Sequence, residues 1–80
     1  MRLRAEFTTE PFHGEGEPPA HVTAALDAVQ AAGLEAEFGP FGTSVTGDED
    51  TMYDALPAVL RAAIDNGATR ITLQVERPDA

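Results

Sequence analysis

The segment LEAEFGPFGTSVT, residues 34–46, determines the plan of the chain. On each side of its Gly39–Pro40 pair, every second side chain is larger or more apolar than its neighbours: Leu34, Ala36 and Phe38 before the pair, then Phe41, Thr43 and Val45. A period of two residues predicts strands with one buried face, and so short a break predicts that the two strands form a β-hairpin.

A helical pattern lies on each side of this hairpin. Apolar residues recur at helical spacing over 19–32, and Gly33–Leu34 is a typical helix end. Beyond the hairpin, the acids at 48–50 favour a helix start, and Asn66–Gly67 favours its end. Pro57 lies inside this second helix and removes one backbone hydrogen bond, so we expect a helix that is continuous but bent.

The two ends of the chain alternate like strands. Residues 2–9 form the first strand, a polar loop follows over 10–18, and Ile71, Leu73 and Val75 mark the buried face of the last strand. The order β-α-β-β-α-β predicts a single ferredoxin-like α+β domain over 1–80, with strand order 4-1-3-2 and two helices on one face. The other face is polar and meets water or another subunit: Arg2, Arg4, Glu6, Glu35, Glu37, Ser44, Thr46, Thr72, Gln74 and Glu76.

Length and composition narrow the function. A chain of 80 residues has a thin core, which favours association with copies of itself. There is no cysteine, hence no disulfide, thiolate nucleophile or cysteine-bound metal. We expect a cytoplasmic protein, because the first residues lack the apolar region of a signal peptide and no stretch is apolar enough to span a bilayer.

The net charge of −9, with no lysine, opposes binding to nucleic acid and to anionic membranes. It favours cationic or neutral small molecules. Solubility, or adaptation to a salty cytoplasm, explains the same charge without any ligand.

Three kinds of functional motif are incomplete in this sequence. The stretch 14–19, GEGEPP, lacks the third glycine of a dinucleotide fingerprint, and its glutamates repel phosphate. His13 and His21 match no metal-ligand spacing, so no metal site is expected. Ser44 has neither a base nor an orienting acid in view, so we expect no catalytic residues.

Candidate binding residues converge at one end of the predicted sheet. The end of the first strand lies beside the start of the third, and Thr9 and Thr43 share the parity of the core-facing residues. The loop 10–18 and the first helix start also meet there. The result is a small mouth with aromatic walls, hydroxyls and acids, suited to a flat cationic heterocycle; its residues are Thr9, Phe12, His21, Phe38, Phe41 and Thr43. Ordinary core packing with nothing bound is the alternative.

Several segments resemble one known family: Ala24-Ala25-Leu26, Gly33-Leu34, Glu37-Phe38, Pro40-Phe41-Gly42-Thr43, Gly47-Asp48 and Gly67-Ala68-Thr69-Arg70-Ile71. They are similar to the small thiamine-binding proteins, long catalogued as a domain of unknown function. The resemblance implies a ferredoxin-like fold, dimers or tetramers formed through the sheets, and binding of thiamine or its pyrimidine part without catalysis. The site residues that the resemblance implies by motif are Phe41, Gly42 and Thr43.

The first hypothesis is therefore a non-enzymatic protein that binds thiamine or hydroxymethylpyrimidine. The second is a self-associating structural or regulatory module without a small ligand. An enzyme is the third, and it lacks a visible catalytic constellation.

Overall fold

The computed structural model describes residues 1–11, 16–39 and 42–78. Their elements are β1 (Arg2–Glu10), α1 (Ala20–Ala31), β2 (Glu35–Gly39), β3 (Gly42–Asp48), α2 (Glu49–Asp65) and β4 (Arg70–Glu76). The strands form one four-stranded sheet in the order β2-β3-β1-β4, and every neighbouring pair is antiparallel. The element order and the strand order expected from the sequence are confirmed.

The helix ends follow the local signals. At the end of α1, Leu34 N–H donates to Val29 O and Gly33 N–H donates to Gln30 O, which is the Schellman pattern. The carboxylate of Asp48 accepts from Asp50 N–H and caps α2. This helix is continuous through Pro57, as expected, and the bend at that residue stays a prediction.

The core lies between the helices and one face of the sheet. Along β1, every second residue from Leu3 to Thr9 is buried, and α1 and α2 cover this face with small and medium side chains. The main buried apolar residues are Leu3, Ala5, Phe7, Ala25, Val29, Val45, Met52, Leu56, Val59 and Ala63. The polar face assigned from the sequence is exposed except at half-buried Ser44.

Two residues that periodicity assigns to the core are exposed instead: Ile64, which continues the helical spacing of Met52, Leu56 and Val59, and Val75, which ends the alternating series of the last strand. Ile64 is 52% exposed on α2 and Val75 is 45% exposed on β4. Because β4 is an edge strand, with only β1 beside it in the described residues, its face toward the helices is incompletely covered. Periodicity identifies the face of an element but not whether another element covers that face.

Gly42 lies where β3 approaches β1 too closely for any side chain. Its φ is +140°, and a Cβ atom would lie 2.7 Å from the carbonyl oxygen of Phe7 and 2.8 Å from Cγ2 of Thr8. The first of these is a backbone atom of the central strand, so it cannot move without disturbing the sheet. Steric crowding therefore requires a glycine at position 42, at the start of β3.

We expect Gly42→Ala to lower the free energy of unfolding by roughly 3 kcal/mol, the sum of an unfavourable φ and an overpacked contact. The matched control is Gly33→Ala, where φ is +78° but a Cβ atom would meet nothing within 4 Å. That change should cost only about 1 kcal/mol. Urea unfolding followed by circular dichroism measures both, and equal losses would contradict the steric explanation.

Candidate functional site

The strand register brings the two threonines to the same end of the same face. Thr43 pairs with Phe7 of β1 and with Phe38 of β2, while Thr9 pairs with Ile71 of β4. Thr9 is two positions beyond Phe7, so Thr9 and Thr43 are diagonal neighbours. Both are buried, at 8% and 7% exposure, as their parity predicted.

The first turn of α1 places His21 against Thr9. His21 is 3% exposed, and its Nδ1 lies 2.7 Å from the Thr9 hydroxyl oxygen. Its other nitrogen, Nε2, lies 2.9 Å from the carbonyl oxygen of Pro11. A carbonyl only accepts, so Nε2 carries the hydrogen and donates it. In the neutral ring, Nδ1 then accepts a hydrogen bond from the Thr9 hydroxyl.

This chain of hydrogen bonds joins three parts of the fold: the end of β1, the start of α1 and the first residue of the loop between them. Both ring nitrogens of His21 are hydrogen-bonded within the protein, so the ring holds the Thr9 hydroxyl in place. The Thr9 hydroxyl uses its one hydrogen on His21 and keeps lone pairs with which it can accept. A hydroxyl beside an oriented imidazole also resembles an activated nucleophile, but the burial of Thr9 leaves it poorly open to attack a substrate.

The segment that follows α2 reaches this end of the sheet. Thr69 N–H donates to the carbonyl oxygen of Glu10 over 2.7 Å, and the Thr69 hydroxyl contacts the same oxygen at 3.3 Å. The neighbouring Ala68 is buried. The last residue of β1 is thus held by the segment that leads into β4. This contact fixes the position of the neighbouring Thr9 at the end of the sheet.

The remaining candidates are only partly described. Phe38 belongs to β2, opposite Thr43. Phe12 and Phe41 lie outside the described residues, as do His13 and Glu15. Of the acids assigned to the loop from the sequence, Glu10 is the last residue of β1 and Glu17 follows it in the loop, and both are exposed.

Two surface depressions lie away from this end of the sheet. One, of about 400 Å³, runs between α1 and α2 and is lined mainly by alanines with Thr51 and Asp54. The other, of about 330 Å³, lies on the polar sheet face around Arg4, Glu6 and Gln74. Within residues 1–11, 16–39 and 42–78, no three histidine or acidic side chains gather closely enough to hold a metal ion. No helix of the described chain is long and apolar enough to cross a membrane.

The sequence placed His21 at the site but did not reveal its hydrogen bonds. The available signals were a threonine of core parity at the end of β1 and a histidine in the first turn of the following helix. Neither signal indicates that the two side chains meet, since that depends on how α1 packs across the sheet.

We expect Thr9→Val to lower the free energy of unfolding by about 1–3 kcal/mol, because the buried Nδ1 of His21 loses its donor. Thr8→Val makes the same change on the exposed face of the same strand and should have little effect. In a His21→Phe background, Thr9→Val should lower the free energy of unfolding much less. Denaturant unfolding of the parent, the two single variants and the double variant gives the coupling energy between the two side chains. A cost that is unchanged in that background would contradict the hydrogen bond.

Comparison with known proteins adds a family and a fold. A family model described as "Thiamine-binding protein" matches residues 5–79. No curated protein matches the chain in sequence.

Solved structures from three organisms have a similar fold. A protein from Thermotoga maritima, named for a proposed role in thiamine biosynthesis or salvage, is 21% identical with a TM-score of 0.66, covering 95% of this chain and 81% of its own. A domain of unknown function from Bacillus cereus is 23% identical with a TM-score of 0.65, covering 94% and 72%. A hypothetical protein from Methanocaldococcus jannascii is 21% identical with a TM-score of 0.67, covering 99% and 84%.

Proposed function

The chain belongs to the thiamine-binding protein family, and from this membership we propose that it is a non-enzymatic protein that binds thiamine or its hydroxymethylpyrimidine part. The observation that carries the proposal is the extent of the family match, which includes both strands and the helix start that form the candidate site. The name of the Thermotoga maritima structure points to the same vitamin.

The proposed binding site is the end of the sheet where Thr9 and Thr43 are neighbours. Thr43 hydrogen-bonds the heterocycle, and Thr9 is held in place by His21 and offers an acceptor. Aromatic side chains cover the flat ring: Phe12, Phe38 and Phe41. The exposed carboxylates of Glu10, at the end of β1, and of Glu17, in the loop that follows, lie at this end and favour a positive charge, although solvent weakens each contribution.

The proposal extends to the state of the protein in the cell. We propose a single ferredoxin-like domain over residues 1–80 that works in the cytoplasm as a homodimer or homotetramer. The element order and the strand order support this fold assignment. The net charge of −9 supports a partner that is a small molecule rather than a nucleic acid or a membrane.

Calorimetric titration with thiamine and with hydroxymethylpyrimidine tests the binding. Thr43→Val keeps the shape of the side chain and removes the hydroxyl, so affinity should fall by roughly 1–2 kcal/mol while the fold survives. The matched control is Thr46→Val, the same change on the exposed face of β3, which should bind like the parent. Phe41→Ala should lower both affinity and stability.

The outcomes separate the competing functions. Equal affinity of Thr43→Val and the parent would show that the hydroxyl is not an anchor. If Phe41→Ala also binds normally, the site lies at the other end of the sheet, near Gly47. Absence of heat with either compound would favour a structural or regulatory module, and sustained turnover of either compound would indicate an enzyme.

Self-association should strengthen as ionic strength rises, because salt screens the repulsion between subunits that each carry a charge of −9. Light scattering at micromolar protein in low and high salt measures it. A mass of 8.5 kDa in both conditions would mean a strict monomer and would contradict this prediction.

A further inference from the structure

The hydroxyl of Thr9 is held in one position at the candidate site. Among the described residues its one hydrogen-bond partner is His21, whose Nδ1 lies 2.7 Å from the hydroxyl oxygen. The backbone of Thr9 is fixed by pairing with Ile71 of β4, and a β-branched side chain has few allowed χ1 angles. What this hydroxyl offers to a ligand therefore depends on where its single hydrogen points.

His21 determines the direction of that hydrogen. The carbonyl oxygen of Pro11 lies 2.9 Å from Nε2 and only accepts, so the neutral ring carries its hydrogen on Nε2 and a lone pair on Nδ1. The opposite tautomer would set two acceptors against each other at Nε2 in a side chain that is 3% exposed, which is costly. The ring therefore accepts the hydrogen of Thr9 and leaves only lone pairs on the hydroxyl for any other partner.

The backbone acceptors next to Thr9 are already engaged in holding the end of β1. The carbonyl oxygen of Pro11 accepts from His21, and that of Glu10 accepts from Thr69 N–H over 2.7 Å. Thr9 retains 8% of its exposure, so its hydroxyl is buried without being sealed off. At this end of the face that Thr9 shares with Thr43, the Thr9 hydroxyl is thus an acceptor of fixed position and fixed direction.

We propose that the pairing of His21 with Thr9 makes the site selective for flat heterocycles that present an N–H donor, such as a ring amino group, over analogues with a carbonyl oxygen in its place. A carbonyl oxygen there would meet the lone pairs of Thr9 and would lose its hydrogen bonds to water without replacement. Thr9 contacts the ligand in this arrangement, and His21 is a positioning residue.

This inference rests on the proposed function and deepens it by naming the feature of the ligand that is recognised. Thiamine and hydroxymethylpyrimidine both carry an amino group on the pyrimidine ring, so both meet the requirement. Exchange of that group for a carbonyl oxygen changes a donor into an acceptor with almost no change in the shape of the ring. The two compounds therefore form a matched pair of probes.

Calorimetric titration of the parent with hydroxymethylpyrimidine and with its carbonyl analogue measures the preference. A buffer at about pH 8 keeps the imidazole neutral. We expect the amino compound to bind roughly tenfold to hundredfold more tightly, the range for one hydrogen bond replaced by an unsatisfied buried acceptor.

His21→Phe tests the positioning role directly. The variant keeps a flat ring at the start of α1 but removes the acceptor, so the hydrogen of Thr9 becomes available to a carbonyl oxygen. Affinity for the carbonyl analogue should rise above that of the parent by about fivefold or more, and the preference should shrink accordingly. Damage to the fold lowers affinity for both compounds and does not produce this gain.

Substitutions at Thr9 separate the hydroxyl from the shape of the side chain. Thr9→Val should abolish the preference by weakening the amino compound, whereas Thr9→Ser keeps the hydroxyl and should keep the preference. Thr8→Val, on the exposed face of the same strand, is the matched control and should bind both compounds like the parent. Circular dichroism shows whether each variant is folded.

The outcomes distinguish this inference from the function on which it rests. A parent that binds neither thiamine nor hydroxymethylpyrimidine would overturn both. A parent that binds hydroxymethylpyrimidine and its carbonyl analogue equally would overturn the selectivity alone. So would a preference that persists unchanged in His21→Phe or in folded Thr9→Val.

Discussion

The pairing of β1 on both sides is the constraint on which the rest of the structure depends. β1 is the first strand in the chain but lies inside the sheet, bonded to β3 and to β4. Its burial alternates without a break from Arg2 to Glu10, so a shift of one residue would turn its whole apolar face toward water. This single register places Thr9 near Thr43 and aligns Arg4 with Glu76 and Glu10 with Arg70.

The same strand explains why the candidate site lies at one end of the sheet. Leu3, Ala5 and Phe7 fill the core, whereas Thr9 continues the buried face with a polar group that needs a partner. His21 supplies that partner and is itself held by the carbonyl of Pro11. A polar cluster ordered in this way can orient a ligand without rearranging, which lowers the entropic cost of binding.

Sequence patterns predicted the fold far better than they predicted which faces are covered by another element and which side chains touch. Alternation and helical spacing identified all the elements and the face of each, because these depend on local periodicity. They failed at Ile64 and Val75, whose burial depends on whether a further element covers an edge. The pairing of Thr9 with His21 also lay beyond them, since it depends on the packing of α1 over β1. The parity of Thr43 predicted its burial, whereas its role in binding stays a proposal.

The distribution of charge links the acidity of the chain to its sheet edges. Four of the five arginines, Arg2, Arg4, Arg70 and Arg77, lie in β1, in β4 or directly after β4. β2 and β3 contain none, and Glu35 and Glu37 leave the β2 edge acidic. A chain with net charge −9 repels copies of itself at long range, so any attraction between copies must be local. The β4 edge, unlike the β2 edge, carries both signs of charge, Arg70 and Glu76, and its apolar face is also incompletely covered.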